Sequence, residues 1–172
     1  LYSRTGDDIS KTFPEITSLK LKQNFSLDGE LMAGEINRPG TFNDLQQRLN
    51  RKSPSKEIIK TVPTFIIAYD ILFLKSSDIR QKKITERRKI LSQFLNKENL
   101  PFIKFSEEVK FKDFNELEQK RLKCREELNY EGLMLKLKNS IYQPGRPKGP
   151  WYKFKRDPFN VDVVLLYAQR GH

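Results

Sequence analysis

The chain has a single cysteine and a single histidine among its 172 residues. With Cys124 alone, no internal disulfide framework can form, and a cysteine-rich zinc site is excluded. The histidine, His172, is the final residue and is assigned no role. Histidine-assisted nucleophilic catalysis and classical zinc chemistry therefore lack their parts. No apolar run is long enough to span a bilayer, and no stretch reads as a signal peptide. Neither a Walker A loop nor G-x-G-x-x-G is present, and no segment repeats.

What is abundant is positive charge. Lysine and arginine number 33 against 22 acidic residues, a formal net charge of +11. Such an imbalance points to a polyanionic partner, because each neutralised phosphate releases counterions. A hydrophobic content of 37%, with 11% aromatics, is enough to bury a core and argues against disorder. The length suits one sizeable domain or two small ones. The chain begins Leu-Tyr-Ser-Arg rather than with methionine, which reads as a piece of a longer protein.

Strands and helices are intermixed. F-S-L-D-G-E-L-M-A-G (Phe25 to Gly34) alternates imperfectly around a D-G, as in a strand or a tight hairpin. Thr41 is placed to cap a helix whose apolar stripe is Phe42, Leu45 and Leu49. V-P-T-F-I-I-A-Y-D-I-L-F-L is apolar on both faces, the pattern of a central, covered strand. T-E-R-R-K-I-L-S-Q-F-L predicts a basic amphipathic helix with Leu91, Phe94 and Leu95 inward. Asp113 and Glu116 resemble a capping box for a helix carrying Phe114, Leu117, Cys124 and Leu128 on one stripe. L-M-L-K, W-Y-K-F-K and V-D-V-V-L-L-Y-A read as further strands, and Q-P-G-R-P-K-G-P as a basic loop. The irregular alternation predicts an α+β fold.

Three carboxylates stand out. Asp28 and Glu30 are two apart and share a face if that segment is extended. Asp70 sits inside an apolar strand, where an ionised group is costly unless paired or bound to metal. Glu131 stands at the mouth of the L-M-L-K strand. For each alone, a structural salt bridge is the ordinary explanation. In W-Y-K-F-K, Lys153 and Lys155 point one way and Tyr152 and Phe154 the other. That is either a solvated basic face or a pair of ammonium groups held over an anion. Together with Lys136, these residues are the parts of a magnesium–nucleotide site: carboxylates for a hard cation, lysines for phosphate oxygens.

The succession S-R-T-G, L-D-G-E-L, A-Y-D-I-L, E-G-L-M-L-K and W-Y-K-F-K-R-D closely resembles the ordered motifs of covalent nucleotidyltransferases. More narrowly it resembles the adenylation domain of ATP-dependent DNA ligases, and L-Q-Q-R-L-N-R-K and D-P-F-N-V-D-V-V-L-L-Y-A-Q-R-G-H are similar to a bacterial group of these enzymes. The resemblance implies one partial adenylation domain over residues 1–172, with antiparallel sheets and helices packed around a nucleotide groove, an ATP-grasp-like arrangement. It implies ATP as AMP donor, Mg2+ or Mn2+ as metal, and nicked double-stranded DNA as partner. A monomeric, cytoplasmic enzyme of DNA repair, replication or recombination is the corresponding expectation, with no membrane association.

The implied roles attach to particular residues. Arg4 corresponds to an arginine that approaches nucleotide or nick phosphate, and Glu30 to a carboxylate near the ribose hydroxyls and metal. Tyr69 corresponds to the aromatic that stacks on adenine, with Met134 on the base's other side. Glu131 corresponds to a metal-associated carboxylate and Lys136 to the basic residue closing its motif. Lys153 and Lys155 correspond to the pair that grips the α-phosphate, and Arg146 to a phosphate-contacting arginine upstream. Arg48, Arg51 and Lys52, with Arg4, are the expected DNA contacts. The family's nucleophilic lysine stands in K-x-D-G-x-R, but the only D-G here is Asp28-Gly29, with Ser26 two residues before Asp28. The chain by itself is therefore expected not to complete ligation, and an oligonucleotide-binding domain is expected beyond it. An RNA ligase or capping-type guanylyltransferase, and a non-catalytic basic DNA-binding relic, are the competing readings.

Overall fold

A computed structural model describes residues 1–128 (backbone only for 125–128), 130–145, 149–155 and the isolated positions Val164, Tyr167 and Gln169. Arg146, the strand expected over residues 161–168 and the side chain of Leu128 lie outside the described residues. In chain order the helices are α1 (Pro14–Thr17), α2 (Phe42–Leu49), α3 (Lys56–Thr61), α4 (Ile84–Glu98) and α5 (Phe114–Leu128). The strands are β1 (Phe25–Glu35), β2 (Arg38–Pro39), β3 (Thr64–Leu74), β4 (Ser77–Asp78), β5 (Ile103–Phe105), β6 (Gly132–Lys136) and β7 (Trp151–Lys155).

The apolar run Thr64–Leu74 becomes the central strand, as its two-faced hydrophobicity predicts. β3 pairs antiparallel with β1 along its length. It also pairs with β4 near its C-terminal end and, in parallel, with β5 near its start. β2 completes a five-stranded sheet by pairing with the end of β1. β6 and β7 form a separate antiparallel ribbon that, among the described residues, pairs with no strand of that sheet. Helices and mainly antiparallel strands are thus intermixed, the expected α+β class.

The D-G of β1 makes no hairpin. β1 runs straight through it, because Gly29 serves close approach rather than a turn. A Cβ at Gly29 would lie 2.7 Å from Ile66 Cγ2 and 2.9 Å from the Ile67 carbonyl oxygen. The register slips here: Asp28 opposes Asp70 while Gly29 opposes Ala68, leaving Tyr69 as the extra residue of β3. Such bulges re-aim a side chain, and this one re-aims Tyr69.

α4 covers one face of the sheet. Leu91, Phe94 and Leu95 are buried against Ala68, Ile71 and Ile79, as the helical spacing predicts. The Phe25 and Phe94 rings meet edge to face at 4.7 Å. The helix also turns Arg87 inward, where Asp70 waits on β3. Arg87 Nε and Nη2 donate to the two Asp70 carboxylate oxygens, each at 2.8 Å, and both side chains are fully buried. The Ile71 N–H donates to Asp70 Oδ1 at 2.9 Å. Asp70 is therefore the paired carboxylate of the two alternatives, not a metal ligand.

A second core forms from Phe13, Ile16, Ala33 and Leu45. Thr41 caps α2 with a reciprocal box: the Asp44 N–H donates to Thr41 Oγ1 and the Thr41 N–H to Asp44 Oδ2. The expected stripe of α2 is only partly right. Leu45 is buried, but Phe42 is 67% exposed and Leu49 39% exposed. The inward position belongs to Arg48, whose guanidinium donates to the Val62 and Thr12 carbonyls and to Glu15, over the Phe13 ring. Arg48 is thus corrected from a DNA contact to a core tie, since a fully buried guanidinium cannot reach phosphate. At α5, the Glu116 N–H donates to Asp113 as expected, while the Glu116 carboxylate accepts from the Lys112 N–H. Leu117 and Cys124 are buried, but Phe114 is exposed.

The Asp70–Arg87 pair should dominate single-site stability. Arg87→Met leaves an ionised carboxylate buried with one N–H donor, so the expected loss is about 3–5 kcal/mol in urea unfolding. Asp70→Asn in the same background removes the stranded charge and should recover part of it. Equal stability of Arg87→Met and wild type would refute this role.

Candidate nucleotide site

The β6–β7 ribbon sets the site's chemistry through its register. Gly132 opposes Lys155, Met134 opposes Lys153 and Lys136 opposes Trp151. Directly opposed residues of an antiparallel pair share a face. One face therefore carries Lys153, Lys155, Lys136, Met134 and Trp151, and the other carries Leu133, Leu135, Tyr152 and Phe154. Gly132 permits this closeness: it lies at φ 149°, and a Cβ there would come within 2.4 Å of the Phe154 carbonyl oxygen. On the far face, Arg121 of α5 stacks on the Phe154 ring and donates to the Lys155 carbonyl, fixing the strand that carries the lysines.

The lysine-bearing face meets the carboxylates of β1. Lys155 forms an ion pair with Glu131, which holds that carboxyl below its usual range. Glu30 behaves in the opposite sense. Burial pushes its carboxyl up; Lys153 pulls it down, Glu131 and Asp28 push it up, and Arg4 pulls it down. Arg4, Glu131 and Lys153 thus all act on Glu30, and Lys153 and Lys155 on Glu131, although these residues lie far apart in sequence. Asp28 shares this neighbourhood, as the two-residue spacing in β1 predicts.

Tyr69 and Lys136 complete the picture. The Tyr69 hydroxyl donates to Asp28 Oδ1 at 2.9 Å, and burial holds its phenol far above the usual range. The Lys136 ammonium lies 4.2 Å from the Tyr69 ring centroid and 4.1 Å from that of Trp151. Its Nζ is buried with no hydrogen-bond partner among the described residues. Burial lowers its pKa to about 8, with Asp70 and Asp28 opposing and Arg88 and Arg87 reinforcing the shift. A buried cation held only by ring faces leaves its hydrogen-bonding capacity unspent. Met134, expected opposite Tyr69, sits one pleat away on the same ribbon face and is 44% exposed.

Arg4 is exposed in a tight turn closed by the Ser3 N–H donating to the Asp7 carbonyl. Arg51 and Lys52 are exposed past α2 and keep the surface position that a nucleic-acid contact requires. Sequence reasoning missed Tyr142, whose hydroxyl also donates to Asp28, at 3.1 Å. It also missed the part Trp151 takes in holding Lys136. Trp151 alternates with Lys153 and Lys155, but nothing local aims it at Lys136; Tyr142 sits in an irregular segment whose placement depends on tertiary contacts.

Among the described residues, no group of three or more His, Cys, Asp or Glu side chains is placed to hold a metal ion. The donor set nevertheless fits Mg2+ or Mn2+ bound jointly with a nucleotide, because Mg2+ commonly takes one or two carboxylates plus substrate phosphates. Glu30 and Glu131 are the two carboxylates available for that purpose. No described helix is long and apolar enough to cross a membrane.

Comparison with known proteins places these features in context. The family model for the ATP dependent DNA ligase domain matches residues 1–155. A DNA ligase of Methanococcus aeolicus is 32% identical over 99% of the chain, and one of Thermococcus fumicolans is 29% identical over 99%. The chain spans about a third of the length of such relatives, 31% of each of these two. The ligase domain of M. tuberculosis LigD superposes with a TM-score of 0.67 at 23% identity, over 90% of this chain and 46% of that one. A mycobacterial DNA ligase D complexed with ATP gives 0.66 at 22%, with the same coverage. These two structures establish the likeness of fold.

The unpartnered Lys136 has a measurable consequence. Its folded pKa, about 8, lies below the unfolded 10.5, so between these values the unfolded chain binds more protons. The cost of burying the ammonium is fully present below pH 8 and is relieved as pH rises through the window. Relative to Lys136→Met, which lacks the titrating group, wild type should gain stability from pH 8 to 10.5. Urea unfolding of both across that window checks this, and parallel pH profiles would refute it.

Proposed function

Because the chain belongs to the ATP dependent DNA ligase domain family, we propose that it carries most of the ATP site of an enzyme that seals nicks in duplex DNA. The observation that carries the reading is a cluster of opposite charges: Lys155 pairs with Glu131, Glu30 feels both Glu131 and Lys153, and the Lys136 ammonium lies over the Tyr69 ring. In this reading Tyr69 receives the adenine face and Glu30 lies toward the ribose. Lys153 and Lys155 take the α-phosphate, and Met134 lies along the base. Arg4 reaches phosphate, and Arg51 and Lys52 contact the DNA backbone. Arg146 stays a phosphate contact on the family resemblance alone.

The geometry suits phosphoryl chemistry because the site is mostly positioning and charge. The Lys155–Glu131 pair is largely exposed, with side chains 49% and 77% accessible. Such pairs are worth only about 0–1 kcal/mol, so an incoming phosphate can separate them at little cost. Lys155 then turns to the phosphate and Glu131 becomes free for a cation. A Mg2+ or Mn2+ held by Glu30, Glu131 and phosphate oxygens would neutralise charge on the nucleotide. Lys153, already beside Glu30, adds its charge where negative charge develops during in-line displacement at phosphorus.

The attacking amine of the family motif is not among these 172 residues, since no K-x-D-G occurs in them. This chain alone should bind ATP yet form no acid-stable protein–AMP adduct. In the longer protein, adenylation by a lysine, transfer of AMP to the nick 5′-phosphate and displacement by the 3′-hydroxyl would follow in turn.

The test uses the longer protein. Lys153→Ala and Lys155→Ala should each slow single-turnover adenylation by roughly 10²–10³-fold, the usual effect of losing one charge-stabilising contact. Arginine should rescue poorly, because a flat guanidinium fork cannot replace a compact ammonium in a tight site. Wild-type rates in both alanine variants would return W-Y-K-F-K to an ordinary basic strand.

A further inference from the structure

The two halves of the site lie on different sheets. Tyr69 and Glu30 belong to the five-stranded sheet, while Lys153, Lys155, Lys136 and Glu131 belong to the β6–β7 ribbon or stand beside it. Among the described residues no strand pairing joins the two, so side chains and loop backbone set their separation. Tyr142, six residues past the end of β6, makes several of these ties. Its hydroxyl donates to Asp28 Oδ2 at 3.1 Å, while Tyr69 donates to Oδ1 of the same carboxylate at 2.9 Å. Its N–H donates to the Arg80 carbonyl at 2.9 Å, and nearby the Ile84 N–H donates to the Ser140 carbonyl at 2.8 Å. Its ring meets Trp151, the first residue of β7, edge to face at 5.9 Å, and the Arg87 guanidinium lies 5.8 Å away.

We propose that Tyr142 is a positioning residue that fastens the ribbon to the sheet through Asp28, holding the base half and the phosphate half at the separation one nucleotide spans. This rests on the nucleotide reading above and adds to it a residue outside the ordered motifs. The Asp28 carboxylate is the shared acceptor: one oxygen orients the ring offered to the base, the other anchors the strand pair that carries the lysines. Burial first, and Asp28 second, push the Tyr142 phenol up to about 12, so it stays a donor through the neutral range. A ligand bridging both halves benefits from their fixed spacing, whereas a ligand occupying one half does not.

That difference supplies the test. Tyr142→Phe keeps the ring against Trp151 and Arg87 and deletes only the hydroxyl. Wild type and variant are titrated with magnesium–ATP, adenosine and inorganic tripolyphosphate. Emission of Trp151, the only tryptophan, is the reporter, and calorimetry the second measure. Loss of one hydrogen bond to a charged group, expressed through the two-site linkage, should weaken ATP by about tenfold and leave the two half-ligands within about twofold. Tyr142→Leu, which also removes the ring contacts, should widen the gap between ATP and the half-ligands. Equal weakening of all three ligands would show a merely structural residue, and unchanged ATP affinity would show no role; either overturns the proposal while leaving the nucleotide reading intact. Failure of the wild type to bind ATP at all would overturn both.

Discussion

Asp70 and Arg87 meet between the central strand and its covering helix, both side chains fully buried. An arginine–carboxylate fork with both groups out of water gains little net stability over apolar packing, but it has one geometry. It fixes the rotation of α4 on β3 and holds Arg87 against the carbonyls of Arg80 and Lys82. From that fixed guanidinium the contacts run outward to the Tyr142 ring, to Asp28 through the Tyr142 hydroxyl, and to Tyr69 through the other Asp28 oxygen. The cluster around Asp28 is therefore held through contacts that begin at a buried ion pair.

The site's electrostatics follow from its two-part construction. On the ribbon, exposed Lys155 and Glu131 neutralise each other cheaply and can be parted. On the sheet side, burial raises Glu30 while neighbouring charges of both signs pull against one another. Lys136 stands between the halves, its ammonium clasped by Tyr69 and Trp151 without a hydrogen bond. A group so placed is costly to keep, and it lies on the ribbon face that also carries Lys153 and Lys155.

Local physics also explains why glycine stands at two positions. At Gly29 and Gly132 the neighbouring chain comes so near that any side chain would collide with backbone or with Ile66. The first allows β1 to lie against β3 where Tyr69 bulges out. The second allows β6 to lie against β7 where Lys155 meets Glu131. Both glycines directly precede or follow a carboxylate of the site, so tight backbone packing and acid placement come from the same few residues.

The sequence by itself determined the elements whose signal is periodic or local. The central strand Thr64–Leu74, the inward Leu91, Phe94 and Leu95, the Thr41 cap and the shared face of Lys153 and Lys155 were all readable, because alternation and capping depend on near neighbours. The ordered motifs singled out Glu30, Glu131, Lys153 and Lys155 by family resemblance. Tertiary structure alone decided where single polar residues went. Arg48 reads as a surface base and is buried, because Glu15, Thr12 and Val62, distant in sequence, offer it acceptors. Phe42 reads as core and is exposed, because the helix turns on Arg48 instead. Asp70 could have held metal or an ion pair, and only the packing of α4 chose the pair. Tyr142 carried no pattern at all. The division has one physical cause: a side chain's own periodicity fixes the face it occupies, but the partner it meets there is fixed by chain folded back from far away.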